Sequence, residues 1–184
     1  GMNSGFYPVT LSDEINLDSP KELKELISRS ADVIGHGNST NAYVLVGKAK
    51  DDVPRSYAYG ARKIEDYQTL YSQISSVPER LMNSRSGRIH IFPVVPDWTV
   101  SSFRGFLARG GFEVSAVKDE NGIKAVTVKA RRSIPLQLMN PWVGKNPKVI
   151  DLTNRKAVAY KMDTSNGECI VFDAQAEHTY SFDL

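Results

Sequence analysis

Apolar residues follow a helical period in the first half of the chain. Leu23, Leu26 and Ile27 recur at the i, i+3, i+4 spacing that places side chains on one face of an α-helix. Ser19 is a candidate N-cap, because Glu22 three positions later completes a Ser-x-x-Glu capping box. The pattern therefore predicts an amphipathic helix that begins close to residue 20 and carries these apolar residues as one stripe.

Further helical segments are predicted before residue 86. A helix is expected to begin at Ser39, since Ala42 and Leu45 follow at helical spacing. Apolar residues between positions 67 and 74 show the same spacing, and residues 78–82 are predicted to form a short helix. Three or four helices with short links therefore occupy the first half of the chain.

Short alternating segments replace the helical period from residue 87 onward. Strands are predicted at residues 88–92, 112–117, 126–130, 148–153, 156–162, 168–173 and 178–182. The stretch Val100–Phe106 is predicted to be a short helix or a loop. Many short strands separated by turns are typical of an antiparallel β-sandwich. Because helices and strands are segregated, an α+β fold is predicted, with a helical segment at residues 1–86 and the sandwich at 87–184.

The clearest hairpin signal lies around Gly122, between two alternating apolar segments. Burial of one face favours the register that sets Val114 opposite Val128 and Ala116 opposite Val126, because a slip of one residue would exchange the two faces. This register predicts a three-residue loop in which Gly122 adopts the left-handed conformation as a bulge.

Composition excludes several classes of protein. The chain has 184 residues, of which 41% are hydrophobic and 24% charged, so an intrinsically disordered chain is excluded. No apolar run approaches the ~20 residues of a membrane-spanning helix, and no membrane association is predicted. The single cysteine, Cys169, cannot form an internal disulfide. The net charge is only +2, and the longest basic cluster, Lys129–Arg132, lacks interleaved aromatic residues, so no nucleic-acid partner is predicted.

The first residues lack the basic and apolar regions of a signal peptide. The compartment therefore stays undetermined. We expect a cytoplasmic protein if the chain is complete, and a periplasmic or secreted one if it is a fragment of an exported enzyme.

Catalytic motifs are nearly absent. The sequence has no phosphate-binding glycine loop, no Gly-x-Ser-x-Gly elbow and no closely spaced His or Cys pair that would bind a metal. Adjacent acids such as Asp119 and Glu120 usually point apart, so they do not predict the facing pair that glycoside hydrolysis requires. We therefore predict no catalytic residue, no metal and no cofactor.

Gly35-His36-Gly37-Asn38-Ser39 is a candidate binding segment ahead of the predicted second helix. The glycines permit a tight backbone path, and a helix N-terminus offers N–H donors to an oxygen-rich ligand. His36 and Asn38 are therefore candidate carbohydrate-binding residues. The alternative is a plain turn between helices, capped by Ser39.

Trp98 and Trp142 each follow a proline by one or two residues. A tryptophan on a rigid loop can stack on a sugar ring through its face, which makes both residues candidates for carbohydrate binding. Each could equally fill the seam between two subdomains, and the sequence favours that second interpretation.

One longer stretch resembles a known family. Residues 87–97, followed by residues 103–116 with Ala-Arg-Gly-Gly-Phe at 108–112, resemble a segment of the α-L-fucosidase family of glycoside hydrolases, family 95. In that family the segment marks the exit from an (α/α)6 barrel into a C-terminal β-sandwich. The Gly-His-Gly segment at residues 35–37 is similar to one that opens a late barrel helix. The resemblance covers residues 30–184 and implies partial (α/α)6-like helices followed by the sandwich.

The chain departs from the family at its catalytic positions. Ser75 stands where the family carries the aspartate of a Gln-Ile-Asp-Gly-Asn-Phe-Gly motif, and Asn38 replaces a tryptophan. Too few helices fit in the chain to close an (α/α)6 barrel. Along the seam between barrel and sandwich, the resemblance implies that Arg104 and Arg109 donate fixed hydrogen bonds to backbone carbonyls, for which a planar guanidinium is suited.

Three hypotheses about function follow. The favoured one is a non-catalytic, glycoside-hydrolase-related C-terminal domain that binds a glycan or serves as an accessory domain. The second is half of a glycoside hydrolase, completed by a partner chain or a homo-oligomer that covers exposed helix faces. The third is a protein–protein interaction module.

Overall fold

The computed structural model describes residues 7–10, 12–34, 38–48, 77–95 and 99–184. The chain forms two compact units, Gly1–Arg80 and Leu81–Leu184. Among the described residues, the helices precede the strands in sequence and the main sheets are antiparallel. The predicted α+β class, helical and then β-rich, is therefore confirmed.

Three helices of the first unit are described: α1 (Tyr7–Thr10), α2 (Lys21–Ile34) and α3 (Asn38–Leu45). α2 begins directly after Pro20, whose carbonyl accepts hydrogen bonds from the N–H groups of the third and fourth residues after it. Ser19 Oγ instead accepts the Asn16 N–H at 2.9 Å, so this hydroxyl closes the preceding turn. Residues 77–81 are also helical, whereas the helix predicted at 67–74 lies outside the described residues.

α2 buries only part of the predicted apolar stripe. Ile27 and Ala31 are buried with residues of α1 and α3 in one small core. Leu23 and Leu26, however, are 40% and 51% exposed. The packed side of α2 is therefore centred on Ile27 and Ala31, and the two leucines lie beside it.

The second unit contains eleven described strands in three sheets. Their bounds are β1 Met82–Asn83, β2 His90–Ile91, β3 Ser101–Ala108, β4 Phe112–Asp119, β5 Gly122–Ala130, β6 Ile134–Met139, β7 Lys148–Asp151, β8 Lys156–Ala157, β9 Lys161–Asp163, β10 Cys169–Ala174 and β11 Thr179–Asp183. A six-stranded sheet has the order β3-β4-β5-β11-β7-β8, a three-stranded sheet has the order β6-β10-β9, and β1 pairs with β2.

The two larger sheets share one hydrophobic core, as a β-sandwich requires. Val114, Val128 and Phe182 come from the six-stranded sheet, and all three are fully buried. Phe172 of the three-stranded sheet meets the ring of Phe182 at a centroid distance of 6.3 Å and that of Tyr180 at 4.9 Å. The alternating apolar residues of the sequence therefore point into the space between the sheets.

The β4–β5 hairpin has the predicted register, with Val114 opposite Val128 and Ala116 opposite Val126. The predicted loop differs in detail. Asp119 pairs with Gly122, which leaves a two-residue loop, and the extra residue lies after Ile123, where the register shifts. Gly122 does adopt a positive φ, of +114°. The loop is tight because the Asp119 carboxylate accepts the Asn121 N–H at 2.8 Å.

Strands β3 and β6 are among those that were not predicted, each for a local reason. Residues 101–108 form strand β3 and not a short helix or loop. The register of β3 shifts between Phe103 and Phe106, and Gly105 has a φ of +69°. This bulge spaces the two phenylalanines three residues apart, which hides the alternation. Strand β6 contains Pro135, and it lies at the edge of its sheet, where a proline is tolerated.

The predicted strand at residues 156–162 is divided between the two sheets. β8 pairs with β7 in the six-stranded sheet, whereas β9 pairs with β10 in the three-stranded sheet. The chain therefore crosses from one layer of the sandwich to the other between these two short strands.

Candidate functional site

Trp142 lies inside the core of the second unit. Its side chain is 8% exposed, and its indole N–H donates a hydrogen bond to the Ile123 carbonyl at 3.0 Å. The stacking role considered for this residue needs an exposed ring face, whereas Trp142 is buried among core side chains. Trp142 therefore acts here as a packed core side chain with its one polar atom satisfied.

A buried asparagine holds the loop that carries Trp142. Asn140 Nδ2 lies 2.8 Å from Glu168 Oε2, 2.9 Å from the Lys145 carbonyl oxygen and 3.2 Å from that of Trp142. Glu168 Oε2 also accepts the Gly144 N–H at 3.0 Å. These contacts tie the 140–145 loop to the start of β10. The Asn-Pro-Trp segment at residues 140–142 therefore serves to anchor this loop.

The other three candidates for carbohydrate binding cannot be placed together. His36 and Trp98 lie outside the described residues. Asn38 is the first residue of α3. Of the four candidates, only Trp142 has a described side chain.

The two arginines expected at the seam have different surroundings. Arg109 donates from Nη1 to the Arg85 carbonyl at 2.7 Å, and its backbone N–H donates to Ser84 Oγ at 3.0 Å. Both partners belong to the same unit as Arg109. The Arg104 side chain is exposed and makes no hydrogen bond to the described part of the chain. The reason is strand alternation: Phe103 points into the core, so Arg104 faces outward.

A histidine–aspartate pair joins β7 to the segment before β11, and no local pattern in the sequence indicates it. His178 Nδ1 lies 2.6 Å from Asp151 Oδ2, with side chains 22% and 6% exposed. Asp151 Oδ1 accepts the Thr153 N–H at 2.9 Å. Burial alone would raise the pKa of the Asp151 carboxyl, but the hydrogen bonds from His178 and from the Thr153 N–H outweigh it and hold the pKa below its usual value.

Other carboxylates of the second unit also have structural partners. Asp163 accepts the Ser165 N–H at 3.0 Å and pairs with Arg88 at 3.3 Å. The hydrogen bonds from Ser165 are the main reason that the pKa of Asp163 is lowered. Glu177 pairs with Lys129 at 2.8 Å, and that hydrogen bond lowers its pKa. These acids act as turn caps and ion-pair partners.

The described ranges contain neither a metal-binding cluster nor a membrane-spanning helix. No group of three or more His, Cys, Asp or Glu side chains there could hold a metal ion. Within those same ranges, no helix is both long enough and apolar enough to span a membrane.

The second unit matches a model of a known protein family. A family model described as "Glycoside hydrolase family 95, C-terminal domain" matches residues 83–182, which is more than half of the chain. No curated protein matches the sequence.

Proposed function

The chain belongs to glycoside hydrolase family 95 through that family's C-terminal domain, and we propose that it assists an α-L-fucosidase-like catalytic barrel by contacting glycan without cleaving it. The match covers the sandwich, so the glycoside-hydrolase relationship applies to the second unit. The fucosidase assignment and the glycan contact are our inference from the resemblance at residues 87–116.

The ionisation of four carboxyl groups of the second unit supports a role without hydrolysis. A glycosidase general acid must hold its proton near neutral pH, which requires a raised pKa. The resolved shifts of Asp119, Asp151, Asp163 and Glu177 are all downward. Each of these groups is a carboxylate at neutral pH, and each is bound by basic or backbone N–H groups. Such groups stabilise turns and strands, and they are poor proton donors.

Incubation of the purified chain with aryl α-L-fucosides and a panel of aryl galactosides tests this proposal. We expect no release of the aryl group above the buffer blank. Turnover that disappears when a single acid is replaced would contradict the proposal. Asp151→Asn and Asp163→Asn are suitable variants, with Asp173→Asn, at an exposed position of β10, as the matched control.

The helical unit offers a second candidate function, which is completion by a partner chain. Leu23, Leu26 and Val33 lie on one side of α2 and are 40%, 51% and 87% exposed. Apolar side chains grouped on a helix surface are typical of an interface. This exposure supports the hypothesis that a partner chain or a second copy covers the helix.

Light scattering coupled to gel filtration tests that second candidate. We expect a mass above that of one chain for the purified protein, and a single-chain mass for the Leu26→Glu/Val33→Glu variant. Arg29→Glu, at an exposed position of the same helix, is the control that changes charge without removing apolar surface. A single-chain mass for the unmodified protein would count against self-association.

A further inference from the structure

The connection between β3 and β4 is a tight turn with a fixed position. Gly110 and Gly111 have φ values of +87° and +82°. A Cβ atom at Gly110 would lie 2.8 Å from Ile134 Cδ1 and 3.0 Å from Phe112 Cε2, so the backbone packs directly on these side chains. The turn begins at Arg109 and therefore presents this residue at a defined point on the surface.

Two more arginines lie against the same turn. The Arg131 N–H donates to the Gly111 carbonyl at 2.9 Å. A Cβ atom at Gly111 would lie 3.6 Å from Arg131 Cβ and 3.8 Å from Arg132 Cγ. Arg109, Arg131 and Arg132 are all exposed, and we name these three residues the arginine corner. Three arginine residues thus meet at the turn at one end of strands β3, β4 and β5.

Positive charge exceeds negative charge at the arginine corner. Arg131 Nη2 pairs with Glu113 Oε2 at 2.5 Å, and the side chains are 49% and 34% exposed. Exposed pairs of this kind contribute little free energy, so the carboxylate can be exchanged for an external anion. The neighbouring Lys129–Glu177 pair adds one charge of each sign. This excess of positive charge attracts anions.

We propose that the arginine corner binds the acidic groups of a glycan, either the carboxylate of a uronic acid or a sulfate ester. A guanidinium presents its N–H groups as a planar fork that matches two oxygens of one anionic group. Several such forks around one rigid turn can hold successive acidic groups of a polymer. This inference rests on the proposed function, because the contact with glycan comes from it.

Binding of the full chain to three polymers tests the inference. Polygalacturonate carries carboxylates, dextran sulfate carries sulfate esters, and dextran is neutral. We expect the chain to bind one or both charged polymers more tightly than dextran in a titration calorimeter, and to lose that affinity as sodium chloride is raised. The polymer that binds identifies the acidic group. The Arg131→Ala/Arg132→Ala variant should bind at least about tenfold more weakly, since it loses two charged donors.

A matched variant separates a specific site from general electrostatic attraction. Arg155 and Lys156 are also adjacent, basic and exposed, and they lie at the opposite edge strand of the sheet. The Arg155→Asn/Lys156→Ala variant removes the same charge, and asparagine tolerates the φ of +60° at residue 155. We expect it to bind as the unmodified chain does.

The outcomes distinguish this inference from the proposed function. An equal loss of affinity in both double variants, or no preference for a charged polymer, would contradict the proposal that the arginine corner is a binding site. Binding to neutral fucosylated glycans without any preference for charge would keep the proposed function and remove this inference. If the Arg131→Ala/Arg132→Ala variant does not fold, Arg132→Ala alone replaces it, since the Arg132 side chain makes no hydrogen bond to the described residues.

Discussion

Replacing Asp151 by asparagine should destabilise the second unit in a way that depends on pH. The side chain is 6% exposed, and its Oδ2 faces His178 Nδ1 at 2.6 Å. Asparagine keeps one carbonyl oxygen for the turn N–H groups of Thr153 and Asn154. It loses the negative charge that the imidazole N–H binds. A hydrogen bond to a charged group contributes about 1.5–3 kcal/mol, and this is the expected loss of unfolding free energy at pH 7.

The direction of the pH effect follows from the lowered pKa of Asp151. A carboxyl group with a lower pKa in the folded state binds protons more readily when unfolded. Its contribution is therefore fully present above the unfolded pKa of about 3.9, and it is lost as the pH falls through the lower, folded pKa. Because the Asp151 carboxyl stays ionised between pH 5 and 7, its contribution to the stability difference between the unmodified chain and Asp151→Asn should be constant over that range. The difference should shrink in stronger acid.

Urea unfolding followed by tryptophan fluorescence measures this difference. With a denaturant slope of about 1–3 kcal/mol per molar urea, the midpoint of Asp151→Asn should fall by about 1 M at pH 7. Asp173→Asn, at an exposed position, should change stability by less than about 0.5 kcal/mol. A stability difference for Asp151→Asn that is the same at pH 7 and pH 3 would refute the assignment of the stabilisation to the ionised carboxylate.

Two further variants test the packing of the second unit. Gly110→Ala should lower the melting temperature more than Gly87→Ala does. Both glycines have a positive φ, but only at Gly110 would the new Cβ atom lie 2.8 Å from an Ile134 side-chain carbon. Equal decreases in melting temperature would contradict the close packing at Gly110. Trp142→Phe should lower the unfolding free energy by about 1–3 kcal/mol, because the Ile123 carbonyl loses its indole donor. A decrease within experimental error in urea unfolding would show that this hydrogen bond contributes little.

The sequence predicts best those features of the fold that depend on a single local rule. The register of Val114 against Val128 follows from burial of one face, and the structure has that register. Strand β3 was missed because the bulge at Gly105 offsets Phe103 from Phe106, and this shift depends on pairing with β4. Periodicity within one strand cannot reveal a bulge, because the extra residue is defined only by pairing with the neighbouring strand.

Contacts between distant residues could not be predicted. Asp151 and His178 are 27 positions apart, and they meet because β11 pairs with β7. Arg109 likewise reaches the carbonyl of Arg85 across 24 positions, although β1 and β3 belong to different sheets. The residue types indicate only that such hydrogen bonds can form. Only the strand order supplied the partners, and a single sequence does not determine that order.

A saturation-transfer NMR experiment on a fucosylated oligosaccharide examines glycan contact and hydrolysis in one sample. After the protein resonances are irradiated, we expect signal transfer to the sugar protons, while the anomeric signal of the bound fucose keeps its intensity for hours. Growth of the free-fucose anomeric signals would contradict a non-catalytic role. Absence of any transfer would contradict glycan binding.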